Sequence, residues 1–242
     1  MPNYVKNSIQ MKGITSLPLF STDKNGELFF DFNKIIKEPK ALLAVDEGSM
    51  TNIAIAYYLM TPKSMLFDTV SKDEKQLLEE LIGNEEAQKE IYERAKQVNG
   101  KGLYENVDLY AVGKRYVNNY KKYGATTWYQ WRIQKWGVKW NASDYRKEND
   151  DKIHFTTAWD MPEPILKRLS KKYPDVEISC MWADEDVGAN AGACIYKNGK
   201  CISGGFAENR SDTAYEIYVS LWGETSELYK DEKGHYQYRA SE

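Results

Sequence analysis

The side chains in this sequence with the readiest acid–base, nucleophilic or metal chemistry are two histidines and three cysteines. His154 and His235 fall on stretches that we predict to be strands, and the sequence shows no partner for either. Cys180, Cys194 and Cys201 are odd in number and contain no C-x-x-C pair, which argues against a disulfide framework and a structural zinc site. We therefore predict structural or surface histidines, reduced cysteines on strands, and neither a metal nor a cofactor.

The acidic run Asp184, Glu185 and Asp186 invites comparison with a calcium-binding loop, whose oxygen ligands alternate along the chain. The comparison fails because Gly188 falls one position early and Ile195 stands where the loop needs a bidentate Glu. An acidic turn is the better interpretation of this run. The sequence also carries no phosphate loop and no dinucleotide-binding glycine pattern, and we predict that the protein is not an enzyme.

Four of the seven tryptophans lie close together in the middle of the chain, interleaved with basic residues. On a helix, Trp128 and Trp131 would share a face that could stack bases while Arg132 and Lys135 hold phosphates. Alternatively, the large rings pack this helix against a sheet and the basic side chains point to water. We favour packing. The alternative is a nucleic-acid-binding surface made of Trp128, Arg132, Lys135 and Lys139.

The chain contains eighteen tyrosines, which is many for 242 residues. Tyr110 and Tyr116 lie in a stretch that we predict to be helical, and amphipathic aromatic rings suit protein interfaces. These rings could equally pack inside the protein, and the sequence leaves both possibilities open. If they are exposed, the predicted protein-binding residues are Tyr110 and Tyr116 together with the acidic turn of Asp184, Glu185 and Asp186.

Composition favours a folded protein without a strong global attraction to nucleic acid or to anionic membranes. Apolar residues make up 42% of the chain, the formal net charge is −3 and the isoelectric point is about 5.7. The charge is uneven, because residues 112–152 carry ten Lys and Arg against four Asp and Glu, whereas residues 173–242 carry six against thirteen. No apolar run is long enough to span a bilayer, and the start lacks the apolar core of a signal peptide. We expect a cytoplasmic protein with no membrane partner.

The first part of the chain predicts a strand followed by several helices. Residues 4–11 read as a strand, and Asn25-Gly26 as a turn before a β-rich stretch. Ser71 and Glu74 form a possible capping box in front of an apolar stripe, and Asn84 is a second predicted N-cap. Further helices are predicted over residues 107–123 and 126–136.

The last ninety residues predict the order β-α-β-β-α-β. Strands are expected over 153–158 and 176–182, separated by a helix over 163–172. Asn198-Gly199 marks a tight hairpin, Ser211 caps a second helix, and residues 235–239 return as a final strand. This order is the split β-α-β arrangement called ferredoxin-like, an α+β fold with an antiparallel sheet and both helices on one face. We expect three segments: residues 1–70 join the core, 71–151 form an added helical segment, and 152–242 form the ferredoxin-like unit.

Four stretches carry a resemblance to a known family: MPNYVKNSI, FDFNKIIKEP, WYQWRIQKWGVKWNA and FTTAWDMPEPILKRLSKKYPDVEI. They resemble phage- and plasmid-encoded accessory proteins with a YubB-type ferredoxin-like domain, the Api-like family of mobile elements. The resemblance touches both ends and the middle of the chain. It implies a ferredoxin-like fold and accessory cargo of a mobile element, and it supplies no catalytic residues. The helical stretch 71–123 looks less typical of the family.

These observations lead to two hypotheses of function. In the first, a phage accessory protein binds and occludes a host protein in the bacterial cell, for example an effector of an antiviral defence system such as CRISPR. The acidic end of the chain could compete for the basic groove in which such an effector holds nucleic acid. In the second, the basic segment 112–152 binds nucleic acid directly. We rank the first hypothesis higher and expect little nucleic-acid binding at physiological salt.

Overall fold

A computed structural model describes residues 3–62 and 71–239 of the chain. Its internal contacts divide the chain into two compact units. The sheet unit comprises residues Met1–Lys37 and Arg132–Glu242, and the helical unit comprises residues Glu38–Trp131. The predicted three segments, 1–70, 71–151 and 152–242, stay predictions, and their residues 1–2, 63–70 and 240–242 lie outside the described part.

The described strands of the sheet unit are β1 (Tyr4–Gln10), β2 (Phe20–Thr22), β3 (Leu28–Phe30), β4 (Ser143–Lys147), β5 (Lys152–Ala158), β6 (Ile178–Asp184), β7 (Gly192–Lys197), β8 (Lys200–Phe206), β9 (Leu228–Lys230) and β10 (Tyr236–Tyr238). The described helices of the chain are α1 (Met50–Met60), α2 (Lys72–Leu81), α3 (Glu85–Val98), α4 (Leu109–Tyr123), α5 (Trp128–Trp136), α6 (Glu163–Lys172) and α7 (Asp212–Trp222). The boundary between the units falls within α5.

The main sheet has the strand order β4-β5-β1-β6-β7-β8, and all its neighbours pair antiparallel. Strand β1 occupies the middle, with Ile9 opposite both Ile153 of β5 and Cys180 of β6. Because β5 and β6 are each antiparallel to β1, they run parallel to one another and are connected by α6. The predicted strand at residues 4–11 is therefore confirmed, and it completes a split β-α-β arrangement.

Helices α6 and α7 pack on opposite faces of this sheet. Helix α6 buries Ile165, Leu166 and Leu169 on the face that carries Cys180 and Tyr196. Helix α7 packs Ala214, Ile217 and Tyr218 with Met181, Ala183 and Ala193. Successive residues of a strand point to opposite faces, so Cys180 and Met181 of β6 mark two different faces. The prediction that both helices share one face is wrong.

The predicted final strand exists but joins a different sheet. Residues Tyr236–Tyr238 pair with Leu228–Lys230 in a separate two-stranded hairpin. This hairpin is tied to the start of α7, because Nδ1 of His235 lies 2.5 Å from Oδ2 of Asp212 and the Tyr236 N–H donates to Oδ1 of the same carboxylate at 2.7 Å. The pKa of His235 is raised by its hydrogen bond to Asp212. A prediction from strand propensity alone does not specify which strand will be the partner.

The cysteine prediction is wrong for two of the three residues. Cys194 of β7 and Cys201 of β8 form a disulfide with a Cα–Cα distance of 6.2 Å. The tight turn at Asn198-Gly199 brings the two strands together, and both turn residues have positive φ, 46° and 79°. Cys180 is free, as predicted, and it is buried.

The helical unit is built around the close packing of α1 and α4. Gly113 of α4 lies so close to α1 that an added Cβ would fall 2.0 Å from the carbonyl oxygen of Ala54, so this position requires glycine. Both predicted caps are confirmed: the Ser71 hydroxyl accepts from the Glu74 N–H, and the Asn84 side chain accepts from the Ala87 N–H. None of the described helices is long and apolar enough to cross a membrane.

Candidate functional site

Trp159 directly follows strand β5 and has an unusual backbone conformation. Its φ is +72°, in the left-handed region, where a bulky residue costs roughly 1–2 kcal/mol. Two hydrogen bonds hold it there: its N–H donates to the Asn3 carbonyl at 2.9 Å, and its carbonyl accepts from Nδ2 of Asn190 at 3.2 Å. The backbone is therefore strained at an exposed tryptophan, and strained backbone of this kind is concentrated at functional sites.

Two exposed indoles and one ammonium group meet at this position. The Lys139 Nζ lies 4.7 Å from the centroid of the Trp140 ring and 5.1 Å from that of Trp159. Trp140 is 38% exposed and Trp159 is 42% exposed. Cation–π contacts of this kind contribute about 0.5–1 kcal/mol at exposed sites, so the lysine helps to fix the two rings in place.

The acidic turn after β6 lies at the same end of the sheet. The Glu185 N–H donates to the Tyr4 carbonyl at 2.8 Å, and Oε1 of Glu185 accepts from the Tyr4 N–H at 3.1 Å. Tyr4 in turn pairs with Ala158, the residue before Trp159. We call the group of Tyr4, Lys139, Trp140, Trp159 and Glu185 the Trp140–Trp159 surface.

Asp184 supports this surface from inside. It is only 4% exposed, and its Oδ1 accepts from Nδ2 of Asn3 at 3.2 Å and from the Asp186 N–H at 2.9 Å. Asn3 thus connects Asp184 to the backbone of Trp159. Of the three predicted acidic contact residues, Glu185 and Asp186 are exposed, whereas Asp184 is a buried structural carboxylate and is not available to a partner.

Asp160 lies beside the surface in a partly buried position. Its Oδ1 accepts from the Met161 N–H at 2.7 Å, and its carbonyl oxygen accepts from the Thr157 hydroxyl at 2.7 Å. Burial raises the pKa of this carboxyl, and the nearby charges of Glu163 and Asp184 raise it further. The ionised form is therefore less favourable in the folded protein than in the unfolded chain.

The two predicted tyrosine contacts lie in the helical unit. Tyr116 is 1% exposed, and its hydroxyl donates to the Asp46 carbonyl at 2.7 Å. Tyr110 is half-buried and packs edge to face against Tyr58, with ring centroids 5.0 Å apart. For Tyr116, internal packing is therefore the correct one of the two possibilities that the sequence left open.

The residues of the predicted nucleic-acid surface differ in their exposure and in their aromatic contacts. Trp128 is half-buried and packs edge to face against Tyr129, and Lys135 is exposed. The Arg132 guanidinium lies 4.9 Å from the ring centroid of Trp136, which is fully buried. Lys139 lies at an exposed pair of aromatic rings, Trp140 and Trp159.

Part of the tryptophan block thus packs inside the protein, which is the alternative that we favoured from the sequence. Trp136 is buried between elements of the sheet unit, its Nε1 donates to the Ile36 carbonyl at 2.9 Å, and its ring packs against Phe32. Trp131 is also buried, whereas Trp140 is exposed. Sequence reasoning missed Trp159 and Tyr4, because neither belongs to the block and nothing in their local sequence marks an exposed ring.

Both histidines pair with a carboxylate that the sequence did not identify. Nε2 of His154 lies 2.6 Å from Oε2 of Glu148, and His235 contacts Asp212. Among the described residues, no three His, Cys, Asp or Glu side chains are grouped so that they could hold a metal ion.

Comparison with known proteins confirms the ferredoxin-like, α+β fold. Residues 135–232 match the family described as the ferredoxin-like domain in Api92-like protein. A crystal structure of a protein api92 from Yersinia pseudotuberculosis aligns with 86% of this chain and 99% of its own, at 10% identity and a TM-score of 0.37. No curated protein matches the chain.

Proposed function

We propose that this chain is a non-catalytic binding protein that contacts a partner protein through the Trp140–Trp159 surface. The observation that carries the proposal is the pair of exposed indoles held around the Lys139 ammonium. Tryptophan is enriched among the few interface residues that dominate binding energy, because one ring buries a large area with few rotatable bonds.

The surface is suited to binding because its backbone is fixed. Trp159 is held by Asn3 and Asn190, and Lys139 lies over both rings. Binding a partner would therefore immobilise these rings with little further loss of conformational entropy. Glu185 and Lys139 bring opposite charges to the surface, which favours a partner with an apolar centre and a rim that also carries both signs.

A finer proposal concerns the kind of partner. The resemblance of four stretches of the chain to phage- and plasmid-encoded accessory proteins supports a host protein as the target, for example an antiviral defence effector such as CRISPR. In this proposal the protein acts in the host bacterial cell by stoichiometric occlusion. Glu185 and Asp186, the exposed part of the acidic turn, would compete for a basic groove of the effector.

The proposal is tested by affinity capture from the nuclease-treated lysate of a bacterium that hosts the mobile element. The wild-type chain is compared with the double variant W140A/W159A, with K139E, and with the control L103A, whose leucine is 93% exposed in the helical unit. We expect the wild type and L103A to retain the same protein in equimolar amount, and the double variant and K139E to lose it.

Two results would contradict the proposal. Equal retention by the double variant would exclude the Trp140–Trp159 surface as the contact. Material retained from untreated lysate but lost after nuclease treatment, combined with salt-sensitive binding that R132Q/K135Q abolishes, would favour the nucleic-acid hypothesis instead. Circular dichroism and thermal unfolding of each variant establish that the changes leave the fold intact.

A further inference from the structure

The face of the main sheet opposite α6 carries a groove that the proposed function does not use. Two adjacent rows of directly paired residues cross the sheet here. The first row, from β4 to β7, is Arg146, His154, Ser8, Met181 and Ala193. The second row, from β5 to β8, is Lys152, Gln10, Ser179, Ile195 and Ser203. Directly paired residues point to the same side of a sheet, so these side chains line one surface.

The groove has the size of a site for a small molecule. Its volume is about 430 Å³, and Ser220 and Leu221 at the end of α7 form one wall. Ligand sites of small molecules generally lie between about 300 and 1,000 Å³. Helix α7 covers Ala183 in the same sheet, and the groove begins where that cover ends.

The polarity of the groove changes steadily across the sheet. Arg146, Lys152 and His154 lie at the β4–β5 side together with one carboxylate, Glu148. That carboxylate is already shared, because it lies 3.2 Å from the Lys152 Nζ and 2.6 Å from Nε2 of His154. These two hydrogen bonds, that of His154 first, lower the pKa of Glu148.

Arg146 makes no ion pair with any residue in the described part of the chain. The charged side of the groove therefore has two cationic side chains, Arg146 and Lys152, against the single charge of Glu148. An anion placed there would meet a guanidinium that can donate two parallel hydrogen bonds.

The middle and the far side of the groove are suited to the rest of a small ligand. Ser8 is 6% exposed, and its side chain hydrogen-bonds to no residue in ranges 3–62 and 71–239. Its hydroxyl borders the groove, where a ligand or water can serve as its hydrogen-bond partner. Beyond the serine, the floor and wall become apolar at Ala193, Ile195 and Leu221.

From this gradient we propose that the groove binds a small organic anion, with its carboxylate or phosphate at Arg146 and Lys152 and its apolar body over Ala193, Ile195 and Leu221. This site shares no residue with the Trp140–Trp159 surface. The groove is proposed to bind a small molecule, whereas the surface is proposed to bind a protein.

The test uses backbone amide NMR shifts of the full chain titrated with benzoate, phenyl phosphate and the neutral control benzyl alcohol. We expect both anions to give saturable shifts at Ser8, Ala193 and Ile195, with dissociation constants in the millimolar range usual for ligands of this size, and benzyl alcohol to give none below about 10 mM. Comparing the two anions distinguishes a carboxylate site from a phosphate site.

R146Q should weaken binding of the preferred anion about tenfold, whereas R168Q, which changes an exposed arginine on α6 at the other face, should leave it unchanged. The absence of saturable shifts with both anions up to about 10 mM would overturn the proposal. Equal binding of benzyl alcohol, or equal binding by R146Q, would overturn the anionic character of the site.

Discussion

Trp140 and Trp159 share one cation: the Lys139 ammonium lies 4.7 Å from one ring centroid and 5.1 Å from the other. Trp140 belongs to the basic tryptophan block, whereas Trp159 follows strand β5 and is brought to the same place only by the fold. Trp159 combines a left-handed backbone with an exposed ring. The proposed contact with a partner protein depends on this arrangement.

The first prediction concerns the backbone strain at Trp159. Trp159→Gly should be more stable than Trp159→Ala by about 1 kcal/mol, because glycine adopts a left-handed conformation without the steric penalty of a Cβ. The comparison is made by urea unfolding of the two variants. Because both lack the indole, its lost contacts cancel in the difference.

Trp140 provides the matched control for that prediction, since its φ is not positive. There the order should reverse, with Trp140→Gly less stable than Trp140→Ala, because glycine gives the unfolded chain more conformational freedom. If alanine were the more stable substitution at both positions, Trp159 would not be strained.

The second prediction concerns the hydroxyl of Tyr116. Tyr116→Phe should destabilise the protein by about 1–2 kcal/mol, because the Asp46 carbonyl then loses its donor at 2.7 Å. Tyr110 lies on the same helix and its ring is half-buried. Tyr110→Phe should therefore change the free energy of unfolding by less than about 0.5 kcal/mol. Equal effects of the two substitutions in urea unfolding would argue against a buried Tyr116.

The third prediction follows from the raised pKa of Asp160. Below the pKa of about 3.9 in the unfolded chain, this carboxyl is protonated in both the folded and the unfolded state and does not lower the free energy of unfolding. As the pH rises toward the raised folded pKa, the unfolded chain ionises more readily and stability is lost. Asp160→Asn should therefore gain stability relative to the wild type as the pH rises above the unfolded pKa of about 3.9.

Asp231 is the control, because hydrogen bonds from the backbone of His235 and Lys233 lower its pKa. The Asp231 carboxylate stabilises the folded protein above the unfolded pKa, and this stabilisation is lost as the pH falls through the lowered pKa of the folded state. Asp231→Asn should therefore lose stability relative to the wild type as the pH rises. Urea unfolding over the pH series measures both slopes, and slopes of the same sign would be inconsistent with the opposite environments of the two carboxyls.

The fourth prediction concerns the cysteines. In native protein without reductant, iodoacetamide at neutral pH should label none of the three, because Cys194 and Cys201 are bonded and burial raises the pKa of the Cys180 thiol to about 12. Denaturation should expose one reactive thiol, and denaturation with reductant should expose three. Mass spectrometry that finds three labelled cysteines without reductant would show that the disulfide is absent.

Local signals in the sequence predicted most helices and strands but not how they assemble. Caps at Ser71 and Asn84 and the turn at Asn198-Gly199 form within a few residues of the chain, and all three are confirmed. The position of β1 between β5 and β6, and the faces chosen by α6 and α7, depend on contacts between distant segments. Hydrophobic periodicity predicts which face of a helix or strand is buried, but it does not predict which element packs against that face.

The candidate site shows the same limit. Glu185 and Lys139 were identified from charge and composition, yet the residue type gave no indication that Asp184 is buried beside an exposed Glu185. Trp159 was missed because its left-handed backbone is held by hydrogen bonds to Asn3 and Asn190, residues distant in the sequence. Such a conformation is set by tertiary contacts and leaves no local pattern in the sequence.

The most direct test of the central claim is titration calorimetry of the purified chain with the protein that it captures from the host. We predict a one-to-one complex whose dissociation constant rises about thirtyfold in both Trp140→Ala and Trp159→Ala, as expected when an interface anchor worth about 2 kcal/mol is removed, and stays within about twofold in Leu103→Ala. Affinities that are unchanged in both tryptophan variants, or inhibition of the partner by far less than an equimolar amount of the chain, would contradict binding through the Trp140–Trp159 surface.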